Sequence, residues 1–147
     1  MCIRDSRCRD QRRTLRRESP VYNSGVSGSN AEVARALIEG LWSGDLDAAR
    51  EHPGYWPGLH TFDYVRGAFP DLSATIKQQV VEGDKVVTHV ELTGTHTGPF
   101  LGAAPTGEQG TWSVVYLDRF EDGKVAEHTA DGWMDVLLAI GAIPPPV

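Results

Sequence analysis

Few side chains in this sequence combine a reactive group with a position at the end of a strand or in a loop. Glu127, Thr129 and Asp131 recur at every second residue, so on a strand they share one face while His128 points the other way. If the Asp131 face looks into an apolar cavity, loss of water favours its protonated form, and the carboxyl becomes an acid/base. His96 opens a glycine- and proline-rich stretch, Thr93 to Gly107, where it can pair with Asp131 or hold a substrate oxygen. His89 and Glu91 share a face of an earlier strand. His89, Trp112, Tyr116, Trp56 and Tyr64 are the candidate pocket side chains, the aromatics offering large apolar walls with a polar tip. Asp118 and Arg119 read as a local ion pair or turn brace, and His52 and His60 as surface residues.

Several chemistries are absent. Cys2 and Cys8 are the only cysteines, so the body of the chain has no disulfide, thiolate nucleophile or cysteine-zinc site. There is no His/Cys metal spacing, no nucleophile elbow, and no Gly-Lys-Ser/Thr ending to make the glycine-rich stretch a phosphate loop. No apolar run reaches the roughly 20 residues of a membrane span. Residues 1–28 hold seven Arg against Asp5, Asp10 and Glu18, whereas residues 29–147 hold seven basic and seventeen acidic side chains. An acidic body is a poor partner for nucleic acid. Neither nucleic acid nor membrane is therefore an expected partner, and a cytoplasmic location is expected.

The elements that must position these groups follow from periodicity. Residues 1–28, Arg-rich and without an apolar pattern, are expected to be a disordered or non-native extension. The domain then spans residues 29–147. Ser29 or Asn30 is a candidate N-cap for a helix carrying Val33, Ala34, Leu37, Ile38 and Leu41. An aromatic loop around Tyr55 and Trp56 follows, suited to lining or covering a cavity. A second helix fits 59–68 and stops at Pro70. Strands are expected over 72–81, 85–92, 110–120 and 124–130, with turns at Glu82-Gly83-Asp84 and Glu121-Asp122-Gly123. A short helix over 133–140 closes the chain. Helices segregated from an antiparallel meander define an α+β class. The expected architecture is a cone-shaped α+β barrel, a curved antiparallel sheet wrapped around the N-terminal helices. Alternation leaves the inner face of the third strand open between Trp112/Val114/Tyr116 and Ser113/Val115/Leu117.

Six stretches carry a resemblance. Ala68-Phe-Pro-Asp71, Glu82-Gly-Asp-Lys-Val-Val87, Thr93-Gly-Thr-His-Thr-Gly98, Pro105-Thr-Gly107, Arg119-Phe-Glu-Asp-Gly-Lys-Val125 and Glu127-His128 occur in the order and spacing of SnoaL-like proteins. These are the polyketide cyclase or ester cyclase group of the nuclear-transport-factor-2-like superfamily. The resemblance covers roughly residues 30–143. It implies a deep apolar pocket, a hydrophobic small-molecule substrate or ligand, and a homodimer or larger homo-oligomer. It also implies ring closure by intramolecular aldol condensation without metal or cofactor. In the family an Asp near the end of the last strand is the acid/base, and the enolate is stabilised largely by delocalisation in the substrate.

Where relatives show Glu-His-Trp, three residues and then Asp, this chain reads Glu127-His-Thr-Ala-Asp-Gly-Trp-Met-Asp135. Asp131 comes two residues early and Asp135 two late. A two-residue shift keeps the strand face, so the resemblance implies Asp131 as the acid/base, with His96, which matches the family motif, assisting. His89 stands where relatives often carry Arg. Three readings follow: a cyclase, isomerase or lyase acting on a hydrophobic carbonyl; a small-molecule-binding or dimerisation module; and an interaction domain. A buried Asp131 facing an apolar pocket favours the first, and an exposed Asp131 the second.

Overall fold

The computed structural model describes residues 27–144, so the Arg-rich extension lies outside the described residues except for its last two positions. Helix α1 spans Ser27–Ser43, α2 spans Leu59–Ala68 and α3 spans Trp133–Ala139. Between α1 and α2 lie two 3-10 turns, Ala48–Glu51 and Pro53–Gly58. Strands β1 (Ser73–Glu82), β2 (Lys85–Thr95), β3 (Gln109–Glu121) and β4 (Lys124–Asp131) form one antiparallel sheet in sequence order. Helix α1 begins upstream of the proposed caps, so Ser29 and Asn30 lie inside it. Its stripe of Ala34, Leu37, Ile38 and Leu41 is buried, as the spacing requires. Among the described residues no helix is long and apolar enough to cross a membrane.

One face of the sheet packs on the helices. Trp112, Val114, Tyr116, Asp118 and Phe120 of β3 point inward, while Val115 and Leu117 point out. The same alternation buries Val86, Thr88, Val90 and Leu92 of β2. Strand β2 continues through Gly94 to Thr95, past the expected end. A Cβ at Gly94 would sit 3.0 Å from the Phe69 Cβ, so the strand there runs close against the α2 exit. Asp71 ties down the strand end: its carboxylate accepts the Thr95 N–H and hydroxyl, each at 2.7 Å.

Register decides what faces the cavity. The β3–β4 turn has positive φ at both Asp122 and Gly123, a type I′ pattern that matches the strand twist. A bulge then falls between Arg119 and Phe120, so Phe120 pairs Val125 but Arg119 pairs Glu127 and Asp118 pairs His128. Strict alternation from buried Val125 would turn Glu127, Thr129 and Asp131 inward. The extra residue reverses this and turns His128 and Ala130 in.

Strand β4 is an edge, and the second 3-10 turn covers it. The Val125 N–H donates to His52 Nδ1 at 3.0 Å, and a Cβ on Gly54 would lie 2.9 Å from the Glu127 backbone. Partial burial, with Lys124 nearby, lowers the His52 pKa. A lowered folded-state value means that the stability contributed by neutral His52 is complete above the unfolded value near 6.5 and is lost as pH falls through the folded one. His52→Ala should cost about 1 kcal/mol at pH 7.5 and progressively less towards pH 5. Urea denaturation at the two pH values checks this; an equal cost at both would refute it.

Candidate active site

Asp118 is fully buried and Tyr55 is its neighbour from the covering turn. Its Oδ1 receives His128 Nδ1 at 2.7 Å and its Oδ2 receives the Tyr55 hydroxyl at 3.1 Å. Both carboxylate oxygens are thus engaged, the condition for keeping a charge out of water. The two strand residues are direct cross-strand partners, so the sheet itself fixes their separation. Tyr55 stacks on the imidazole with ring centroids 4.1 Å apart, and Tyr116 flanks the same ring at 5.2 Å. Burial and the adjacent Asp118 charge push the Tyr55 pKa well up, so it stays a phenol and a donor. Tyr55→Phe leaves Oδ2 without its partner and should cost about 1–3 kcal/mol, read as a shift in the urea midpoint. A midpoint unchanged from wild type would show that water takes the place of the hydroxyl.

The carboxylate dictates the tautomer. An ionised Asp118 only accepts, so His128 Nδ1 carries a proton, and in the neutral ring Nε2 presents its lone pair. His128 lines a cavity of about 130 Å³, with Trp42, Phe62, Tyr116, Ala130 and Trp133 among its walls. The side chain of His128 is 10% exposed and that of Asp118 is 0% exposed. The imidazole thus bridges a buried anion and a small, mostly apolar cavity. A second cavity of about 280 Å³ shares Thr61 and Trp133 with the first and adds Tyr64, Val65, Phe100 and Leu101. Arg119 does not pair with Asp118, because adjacent strand residues face opposite ways; it bonds Glu127 at 3.0 Å and lies 3.6 Å from Glu121. Among the described residues no group of three or more His, Cys, Asp or Glu side chains is arranged to hold a metal ion.

The expected site residues are dispersed. Asp131 is exposed on the outer face of β4, turned there by the bulge, so the expectation that it faces the cavity is corrected. Asp135, the other carboxylate at the altered spacing, is exposed in the first turn of α3. His96 is fully buried against Phe69, where its Nδ1 accepts the Thr106 N–H at 3.1 Å and closes the Gly/Pro loop. It lines neither cavity, and its contacts are those of a loop brace. His89 lies half-buried on the outer sheet face, hydrogen-bonded to Ser113 at 3.0 Å. Trp56 is 58% exposed and donates to the Arg50 carbonyl, while Trp112 is buried against Phe69. Of the expected substrate-binding set, Tyr116 lines the inner cavity and Tyr64 the outer one. Asp118 and His128 are the residues that sequence reasoning passed over.

The fold and this pocket define a class before they define a relative: a cone-like α+β domain with a buried Asp–His pair whose imidazole lines a mostly apolar cavity. Residues 58–137 match the SnoaL-like polyketide cyclase family, and the chain belongs to that family. It is 29% identical over 115 residues to aklanonic acid methyl ester cyclase AcmA of Streptomyces galilaeus, covering 65% of this chain and 78% of that protein. Among solved structures it is similar to AclR of Streptomyces galilaeus, a proposed hydroxylase, with a TM-score of 0.72 and 27% identity over 82% of this chain and 86% of that one. A proposed SnoaL-like polyketide cyclase from Jannaschia sp. CCS1 gives a TM-score of 0.72 and 29% identity, covering 82% of this chain and 97% of that one.

Proposed function

We propose that this protein is a cyclase acting by acid–base chemistry on a hydrophobic, enolisable carbonyl compound, with His128 as the base and Asp118 as its positioning residue. The observation that carries this is the 2.7 Å bond that fixes the imidazole of His128 at the wall of the apolar cavity. Family membership and the similarity to a methyl ester cyclase support the substrate class. Nε2 takes the proton from the carbon next to a carbonyl, and the imidazolium rests on the Asp118 carboxylate. The enolate carbon then attacks a second carbonyl of the same molecule. One C–C bond forms, and the new alkoxide recovers the proton from Nε2. Atoms and electrons balance with the chain's own groups.

An exposed Asp131 removes the acid/base expected from the family spacing, but the pocket keeps one in His128. A catalytic reading is therefore preferred over a binding module. The outward Val115 and Leu117 suit the homo-oligomer that the family resemblance implies. The test is incubation with bicyclic and tricyclic β-keto esters that carry a second carbonyl within reach of the enolate. Ring-closed isomers or their dehydration products are expected. Saturable binding without product across the whole panel would point to a binding protein instead.

A further inference from the structure

The inner cavity holds a second polar group whose hydrogen bonding is incomplete. The Tyr116 oxygen accepts the Trp42 Nε1–H at 3.2 Å. A phenol also has one proton to donate, and among the described residues the Tyr116 hydroxyl has no acceptor for it. The side chain is 1% exposed, so bulk water does not reach it freely. Yet it lines the same cavity as His128, its ring 5.2 Å from the imidazole and inclined by only 27°. Buried phenols normally find a partner for the hydroxyl. An O–H without an acceptor, on a ring stacked near the imidazole in a cavity whose other side-chain polar groups include His128 and the Thr61 hydroxyl, is free to donate to a ligand.

We propose that Tyr116 is a second catalytic residue of this site: its O–H donates to the ligand's carbonyl oxygen and holds the charge that builds there as His128 removes the neighbouring proton. The electron pair of the broken C–H bond becomes the C=C bond, the carbonyl π pair moves to oxygen, and the proton ends on Nε2. This role rests on the acid–base reading above and gives the protein its own oxyanion donor, in addition to whatever delocalisation the substrate supplies. Trp42 sharpens the donor, because an N–H bonded to the phenol oxygen draws electron density from the O–H. Burial raises the Tyr116 pKa, with the Trp42 bond opposing and the Asp118 charge adding, so the group stays protonated at working pH. Trp42, Phe62 and Trp133 supply the walls for a flat ring system around this polar end.

The probes are 2-naphthols of graded acidity, whose ionised oxygen imitates an enolate and whose absorbance reports ionisation in the bound state. Naphthalene, without the oxygen, is the control. Wild type should bind naphtholates more tightly than naphthalene. Tyr116→Phe should weaken naphtholate binding about 10-fold or more while changing naphthalene binding less than about 2-fold. Trp42→Phe should move naphtholate affinity the same way by a smaller factor. Equal losses for both probes, unchanged naphtholate affinity in Tyr116→Phe, or no naphtholate preference in wild type would each overturn the role. The comparison is repeated in a His128→Gln background, which separates the two claims. A persistent Tyr116 effect there, with no turnover in wild type, refutes the acid–base reading and leaves the anion-binding hydroxyl. Intact His128-dependent turnover with no Tyr116 effect refutes the hydroxyl's role alone.

Discussion

His128→Gln should lower turnover of an enolisable keto ester by about 10²- to 10⁴-fold, the range supplied by a positioned general base. Gln is close in size to the imidazole and can still donate to Asp118, so the buried carboxylate is not abandoned. What disappears is the basic lone pair at the cavity wall. The loss should fall on kcat with KM changed little, because Trp42, Phe62 and Trp133 still provide the apolar contact. Steady-state kinetics checks this, with near-UV circular dichroism confirming that the aromatic core is intact. A variant retaining a tenth or more of wild-type kcat would remove His128 from the chemistry.

Asp118→Asn should be nearly as damaging, for a different reason. The carboxylate compels His128 to carry its proton on Nδ1. An amide can turn its NH₂ towards Nδ1 instead, and the proton then moves to Nε2, where it blocks the lone pair that faces the ligand. The same exchange in serine proteases costs about 10⁴-fold through the wrong tautomer, so a loss of about 10²-fold or more is expected here. Nitrogen-15 shifts of the His128 ring give a readout that mere structural damage does not move: Nδ1 protonated in wild type, Nε2 protonated in the variant. Lost activity with the wild-type tautomer retained would assign Asp118 a purely structural role.

Much of the fold was legible because short-range physics writes it. The apolar stripe of α1, Pro70 after α2, and the Glu82-Gly83-Asp84 and Asp122-Gly123 turns place the helices and hairpins within a few residues. The site was not, and the cause is one inserted residue. Counted strictly from the Asp122-Gly123 turn, Asp118 would face Glu127, two like charges across a strand pair. The bulge slips the register by one, so Arg119 meets Glu127 and Asp118 meets His128. That charge conflict was the signal in the sequence that could have revealed the slip. Reading Asp118 with Arg119 as a pair missed it, because neighbours on a strand point to opposite faces. The fate of His96 depended on contacts with Phe69 and Thr106, remote in sequence and without a local pattern. The depth of the cavity likewise depends on how Trp133 of α3 returns to Trp42 of α1, 6.3 Å between rings, which periodicity does not encode.

Hydrogen–deuterium exchange at the α-carbon of a hydrophobic aryl ketone, followed by proton NMR in D₂O, reaches the central claim without needing the natural substrate. Wild type should wash in deuterium well above the buffer rate, His128→Gln should fall by about 10²-fold or more, and Asp131→Asn should stay within about 2-fold of wild type, since Asp131 lies on the outer face. Exchange that survives His128→Gln but is lost in Asp131→Asn would contradict the account and return the base to the carboxylate of the outer face.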